Sequence, residues 1–255
     1  NNIKNPKHAG INGNINCKDL DLTVLNLIIK ANVMPSDIQK ELNKLNFLSG
    51  NAHISAKARN SRIDGIVDIN NTDFEYKIGN DAIPIRILSG QTGIKNNLLT
   101  FNKFNCIADN MPVLLNGKIT DFYSNPQYNI HINSKLVQKV FDKYWNANNI
   151  YPVKISGDIL SSTNIDGNKN HTHIKSDMRI QANSSIYYMG ATIGDSLNPI
   201  TVNIDSDIDK SRTIKLNKFR YNKVISSQNN KQNILPVLSV SGQLKPIVKI
   251  YELKN

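Results

Sequence analysis

The sequence predicts an all-β fold with two short helices, arranged as a long antiparallel meander. Apolar and polar residues alternate through most of the 255 residues, which is typical of strands that bury one face. Asparagine and glycine supply turns between these stretches. One apolar stretch near the middle of the chain also recurs later, which indicates an internal duplication.

The duplication is centred on residues 112–119 (PVLLNGKI), an apolar strand that closes on glycine and returns as residues 236–244 (PVLSVSGQL). Residues 99–104 and 214–219 form a second matching pair, and residues 67–79 and 178–190 form a looser third pair. Three landmarks in one order predict a duplicated unit of about 110 residues. We therefore predict two repeat units in one continuous sheet, residues 1–116 with a helix near 36–47 and residues 117–255 with a helix near 134–146.

The first unit opens with a polar entry segment over residues 1–10 and a strand-like stretch over residues 13–29. In that stretch Ile15 and Cys17 alternate, and the alternation resumes at Leu20 after a slip of one residue. Ser36 and Gln39 then form a capping-box pattern, which predicts the start of a helix. The apolar residues of this helix recur at helical spacing: Ile38, Leu42 and Leu45.

Beyond the first helix the apolar period changes to two. The glycine step 48–50 (LSG) ends the first strand, and alternating strands follow over residues 54–58, 67–69, 74–78 and 83–87, with asparagine-rich turns between them. The strands 98–104 and 113–119 continue the meander.

The second unit repeats this plan. A strand over residues 128–132 precedes Ser134, which we expect to cap the second helix. Further strands are predicted at 155–157, 174–180, 200–208, 214–216, 237–244 and 247–251. The apolar stripe of the predicted helix comprises Leu136, Val137, Val140, Phe141, Tyr144 and Trp145.

The overall charge does not define a partner. The net charge is +11 and the isoelectric point is about 9.5, but lysines are spread singly and no helix-turn-helix, zinc or base-stacking motif accompanies them, so we expect no nucleic-acid partner. Weak attraction to anionic headgroups is compatible with this charge. No apolar run approaches the ~20 residues that cross a bilayer. The chain begins on asparagine without a leader pattern, and we expect it to be part of something longer.

Reactive and metal-binding motifs are weak. The pair Cys17 and Cys106 allows one disulfide, although buried free thiols are the favoured interpretation. His171 and His173 share a strand face, but no third ligand lies at a suitable spacing. The aspartates 205, 207 and 209 alternate without the glycine and glutamate of a calcium loop. No catalytic grouping or phosphate loop is present, so we expect neither an enzyme nor a cofactor.

A sheet that is apolar on one face must cover that face. Two short helices cannot cover about fourteen predicted strands. The sequence therefore leaves two arrangements open, a closed sandwich and a half-pipe whose inner wall stays apolar.

Several stretches resemble the AsmA-like superfamily of bacterial envelope proteins, which includes AsmA, TamB and YhdP. They are LSGNAHISA, IDGIVDINNTDFEYKIG, IPIRILSGQTGIKNNLLTFNKF, MPVLLNGKITDF and VKISGDI. The resemblance is one of pattern and order, and it extends over nearly the whole chain. It implies an elongated apolar β-groove of the β-taco type, in the periplasm and tethered to the inner membrane by a segment outside this chain. It implies further that the groove carries phospholipid toward the outer membrane.

Elementary energetics agree with such a role. Moving a ~16-carbon acyl chain through water costs on the order of 12 kcal/mol, which an apolar trough would largely remove. The expected partners are acyl chains, the inner and outer membrane surfaces and envelope assembly proteins. We predict that the trough is lined by Ile69, Phe74, Tyr76, Ile85, Ile87, Phe101, Leu115, Ile119, Ile130, Ile132, Ile155, Ile159, Met178, Ile180, Val202 and Ile204.

Two alternatives remain open from the sequence. The first is a structural or adhesive envelope module with a closed core and no lipid. The second is a glycan-binding sandwich, which would need exposed aromatic residues clustered on a polar face. In each alternative the sixteen residues would form ordinary core.

Overall fold

The structure is a computed structural model that describes residues 12–32, 39–40, 42–59, 62–78, 81–121, 125–144, 146, 152–211, 213–226 and 232–244. Strands dominate it, as the alternating pattern predicts. The strands of the first half are β1 Gly13–Asp21, β2 Leu45–Arg59, β3 Arg62–Ile78, β4 Asp81–Lys95, β5 Leu98–Ala108, β6 Met111–Thr120 and β7 Gln127–Lys135. Those of the second half are β8 Lys154–Ser156, β9 Ile159–Asn168, β10 His171–Ile180, β11 Ser184–Tyr188, β12 Ala191–Asp195, β13 Ile200–Asp209, β14 Ile214–Ser226 and β15 Gln232–Leu244.

The strands form one large sheet and one small sheet. The large sheet has twelve strands in the order β1-β2-β3-β4-β5-β6-β7-β9-β10-β13-β14-β15, and the small sheet has the order β12-β11-β8. Nearly all neighbours are consecutive in sequence. The predicted all-β class and antiparallel meander are therefore confirmed.

The chain divides into two compact units. The first comprises Asn1–Asp109 and Leu115–Gln127, and the second comprises Asn110–Leu114 and Tyr128–Asn255. The boundary predicted between residues 116 and 117 falls within β6, whose first residues belong to the second unit and whose last residues belong to the first.

β-bulges keep the apolar residues of the first unit on one face. The alternation Ile83, Ile85, Ile87 would place Gly90 and Thr92 on the opposite face if β4 were regular. The register shifts in the β2–β3 ladder between Phe47 and Asn51 and in the β4–β5 ladder between Ile87 and Gln91. Between β3 and β4, the facing residues Asn71 and Leu88 are both left unpaired. Each extra residue shifts the alternation by one. Leu88 is accordingly exposed despite being apolar.

The two glycine steps that were predicted to end a strand differ in outcome. The step 155–157 does end a strand, since β8 stops at Ser156 just before Gly157, whereas the step 48–50 lies inside β2, and Gly90 likewise lies inside a strand, β4. At Gly90 a side chain would lie 2.6 Å from the ring of Phe104. The glycine is therefore present because Phe104 packs down onto the backbone there, leaving its ring 7% exposed.

The predicted strand over residues 13–29 is correct only at its beginning. The predicted slip is confirmed, because the β1–β2 register shifts between Cys17 and Leu20. After Asp21 the chain turns through a 3-10 segment, Leu22–Val24, into helix α1, Leu25–Ala31. The Asp21 carboxylate accepts the Thr23 N–H at 2.9 Å, which is the cap that ends the strand.

Both helix predictions need correction. Residues 39, 40 and 42 are helical, but Ser36 and Ile38 lie outside the described residues, and Leu45 is the first residue of β2. Helix α2 spans Gln138–Tyr144, whereas Ser134 belongs to β7. The position of Leu45 in the apolar pattern is compatible with the spacing of a helix and with that of a strand. Its pairing with Tyr76 in β3 makes it part of a strand. Trp145 and the predicted strand 247–251 lie outside the described residues.

The closed core of the second unit lies between its two sheets. Ile159, Ile180, Ile200 and Val202 are 0–1% exposed. Side chains of the small sheet, Ile155, Ile186 and Ile193, pack against them together with Leu136 from the segment before α2. This part of the chain is an ordinary sandwich.

Candidate functional site

The first unit carries one continuous apolar face. Residues paired across neighbouring strands lie on the same side of a sheet, so the register defines this face row by row. We call the apolar side chains of these rows, on β2–β5, the apolar face of the first unit. Its rows include Leu45–Tyr76–Ile83, Phe47–Phe74–Ile85, Ala52–Ile69–Gly90 and Ile54–Val67–Thr92–Phe101.

Most of this face is only half-buried. Among the described residues of the first unit, the buried apolar side chains are Leu22, Ala52, Ile87 and Phe104. The rows named above are otherwise of intermediate exposure, and this holds for Ile69, Phe74 and Phe101. A closed sandwich would bury such a layer between two sheets. The described part of the first unit contains no second sheet of its own.

A helical cap lies beside one end of the face, at the edge of β2. Leu22 is 4% exposed. The Asn26 amide donates to the carbonyl oxygen of Phe47 at 2.7 Å, and its own oxygen accepts the Phe47 N–H at 2.9 Å. These two bonds fix the α1 segment beside β2 at the Leu45–Phe47 end. Far from this cap, Ile15 of β1 is 57% exposed.

The second unit shows the same arrangement by itself. The small sheet covers the row Ile159–Ile180–Ile200. Further along the same face, the row Ile130–Ile165–Ile174 and the neighbouring residues Ile204 and Phe219 are half-buried. We call these five residues the apolar face of the second unit. Hydroxyl groups interrupt it, and Thr163 and Ser176 are hydrogen-bonded at 2.9 Å.

The sixteen residues predicted to line a trough fall into three groups. Ile159, Ile180 and Val202 are enclosed in the core of the second unit, and Ile87 is 8% exposed. None of these four side chains has enough exposed surface to contact a bound acyl chain. Met178, Ile155 and Ile204 pack against the enclosed core but remain half-buried. The other nine are half-buried, namely Ile69, Phe74, Tyr76, Ile85, Phe101, Leu115, Ile119, Ile130 and Ile132.

The opposite face of the second unit brings together histidines and aspartates that lie far apart in the sequence. The β10–β13 register sets His173 across from Asp207 and His171 across from Asp209. The Nδ1 atom of His173 lies 2.9 Å from Asp207 Oδ1, and Nε2 of His171 lies 3.2 Å from the same oxygen. Asn217 donates to the other Asp207 oxygen at 2.7 Å.

These partners favour the ionised carboxylate. The hydrogen bonds from Asn217 and His173 lower the pKa of Asp207. Within the described part of the chain, no group of three or more histidine, cysteine, aspartate or glutamate residues is placed to hold a metal ion. The cluster is a polar network across three strands, β10, β13 and β14.

A shallow depression lies on the polar face of the first unit. It holds about 500 Å³ and is centred on Gly93, whose missing side chain leaves a gap between Ile66 and Thr100. Lys57 and Lys95 stand along one side. This depression lies on the side of the sheet opposite to the apolar face.

The two cysteines are half-buried free thiols. Burial raises the pKa of the Cys106 thiol, which makes it less reactive. No helix among the described residues is long and apolar enough to cross a membrane.

Comparison with known proteins adds no relative. No family model, no curated protein and no solved structure matches this chain. The AsmA-like resemblance therefore stays a hypothesis drawn from sequence pattern, and the two apolar faces are the structural features that bear on function.

Proposed function

We propose that the apolar faces of the two units bind phospholipid acyl chains, as part of an envelope protein that moves phospholipid toward the outer membrane. The observation that supports this most is the half-buried apolar face of the first unit, which is capped at one end. Exposed apolar surface of this extent carries a free-energy cost unless a partner covers it. Acyl chains match a surface that is long, apolar and without buried charge.

The internal duplication, the groove shape and the periplasmic location belong to this proposal. They are supported by the resemblance of sequence pattern and by the occurrence of a capped, half-buried face in each unit. Membrane surfaces and envelope assembly proteins are the partners that such a carrier would need.

The enclosed core of the second unit favours the structural alternative for that part of the chain. Ile159, Ile180 and Ile200 are sealed, so a module whose task is only to pack and to hold a shape would look the same there. The two functions differ at the half-buried faces, and the test is made there.

The first experiment is mass spectrometry of lipid extracted from the purified chain. We expect co-purifying phospholipid in the native protein and at least a fivefold reduction in the Phe101→Asp variant, because a charge on a half-buried face repels acyl chains. Asn102→Asp is the matched control, since Asn102 is the next residue, is exposed and lies on the other face. Absence of lipid from the native chain would favour the closed structural module.

A further inference from the structure

One hairpin of the second unit presents an unusual tip to solvent. β11 and β12 pair from Ser184–Asp195 to Tyr188–Ala191, so Met189 and Gly190 form a two-residue turn. The side chains of Tyr187 and Tyr188 are 38% exposed and that of Met189 is 58% exposed. We call these three residues the hairpin tip.

The inner face of the same hairpin is anchored. Ile186 and Ile193 pack against the core of Ile159, Ile180, Ile200 and Val202. The tip is therefore held by a rigid base and not by a free loop.

Met189 occupies a turn position at which methionine is not a preferred residue. Met189 has φ 50° and Gly190 has φ 83°, the left-handed conformations of a type I′ turn, in which asparagine, aspartate and glycine are preferred. Elsewhere the described chain follows this preference. Among its non-glycine residues with positive φ, all but Lys103 and Met189 are asparagine or aspartate. Met189 is thus poorly explained by the turn, and its exposed apolar side chain suggests a different reason for its presence.

The chemistry of the tip fits a bilayer interface. Residues 181–194 contain no charged side chain, so insertion would desolvate no charge of the hairpin itself. Tyrosine has an apolar ring and a polar hydroxyl, a combination that concentrates at the headgroup level. Lys154 pairs with Tyr187 across the small sheet, and its Nζ lies 5.9 Å from the ring centroid. A cation beside aromatic groups complements anionic headgroups.

We propose that this hairpin tip docks the protein onto a phospholipid bilayer, with Met189 and Tyr188 entering the interface and Lys154 facing the headgroups. This goes beyond the binding of acyl chains, because a docking tip needs no lipid to be carried. The two proposals also have separate measurements, which are vesicle binding here and extracted lipid above.

The test is flotation of the full chain with unilamellar vesicles, either of phosphatidylcholine alone or with about a third phosphatidylglycerol. We expect Met189→Asn to lower the partition coefficient about fivefold on both vesicles, since apolar area no longer leaves water. We expect the Tyr188→Ser/Met189→Asn double variant to lower it further. Leu197→Asn is the matched control, because Leu197 is 83% exposed but lies beyond the other end of the hairpin.

The Met189→Asn substitution distinguishes an effect on folding from an effect on vesicle binding. Asparagine suits the left-handed turn, so Met189→Asn should keep or raise the thermal midpoint while it lowers vesicle binding. Native protein that fails to float with either vesicle would overturn the proposal. So would an unchanged partition coefficient for Met189→Asn, or an equal loss in Leu197→Asn.

Discussion

At the scale of single residues, the close approach of Phe104 to Gly90 fixes how two strands of the first unit pack. A methyl group at Gly90 would lie 2.6 Å from the Phe104 ring, well inside van der Waals contact. The Phe104 ring would have to shift to admit it. The ring also makes an edge contact with Phe101, with centroids 5.9 Å apart, so a shift of Phe104 would disturb the apolar face.

We therefore expect Gly90→Ala to destabilise the protein by about 1–3 kcal/mol, the usual range for overpacking. Urea denaturation followed by circular dichroism measures this. Gly13→Ala is the control, because nothing lies within 4 Å of a side chain built there. Equal midpoints for the two variants would contradict the packing of Phe104 on Gly90.

Asp195 gives the protein a defined response to acid. Its carboxylate lies 2.5 Å from Lys223 Nζ and accepts the N–H groups of Leu197 and Asn198 at 2.8 Å. The lysine first, and then the two N–H groups, lower the pKa of Asp195. The unfolded carboxyl has an ordinary pKa of about 3.9, so the unfolded state binds the proton more readily.

The contribution of Asp195 to stability is thus fully present above about pH 4 and is lost as the pH falls further. We expect Asp195→Asn to be less stable than the native chain near neutral pH and to lose less stability on acidification. Urea midpoints at about pH 6 and pH 3 provide the comparison. Parallel losses in both proteins would show that other carboxylates dominate.

The contacts of His171 and His173 mark a limit of sequence reasoning at this scale. Their alternation correctly predicted one strand face. It could not reveal Asp207, because β10 and β13 are separated in sequence by the β11–β12 hairpin and become neighbours only in the folded sheet. Pairing between distant strands depends on topology, which local periodicity does not contain.

At the scale of elements, period-two alternation was a reliable guide and its interruptions were not. The triplet Ile83, Ile85, Ile87 predicted β4 correctly. The glycine steps suggested strand ends because glycine usually marks turns, whereas in β2 and β4 they accommodate a bulge or a packed ring. The apolar run after Asp21 continued the alternation of β1 and yet formed α1, because the Asp21 cap overrides a weak local preference.

The bulge at Asn71 offers a test of how the apolar face is aligned. Asn71 has φ 45° and no partner in the β3–β4 ladder. Deleting it would move Thr72, Phe74 and Tyr76 to the polar face, and we expect loss of cooperative unfolding or aggregation. Asn71→Gly keeps the residue count and suits the left-handed conformation, so it should fold normally. A deletion variant with native urea unfolding would contradict this account of the bulge.

At the scale of the whole molecule, the fold class followed from the sequence but the extent of its closure did not. Alternation shows that each strand has an apolar side without showing what covers it. Ile69 and Ile180 have the same local pattern, and one is half-buried whereas the other is completely enclosed. The difference comes from the small sheet of the second unit, whose residues Ile155, Ile186 and Ile193 pack over the core. The sequence pattern around Ile180 does not predict that the small sheet packs over it.

The half-buried faces make a prediction that separates a lipid carrier from a closed module. If acyl chains lie on these faces, the affinity for single-chain fatty acids should rise with chain length. A fully buried methylene contributes about 0.8 kcal/mol, and a chain with one side on protein and one in water should gain about half, or roughly twofold tighter binding per methylene.

Calorimetric titration with saturated fatty acids of about 8 to 14 carbons, each below its micelle concentration, measures this slope. The native chain and Asn102→Asp should show the same slope, and Phe101→Asp should show a shallower one, because the charge interrupts the apolar face at a half-buried position. A closed module has no continuous surface for the tail, so its affinity would not change with length. A flat series in the native chain would therefore remove the basis for acyl-chain binding, while leaving the vesicle binding of the hairpin tip untouched.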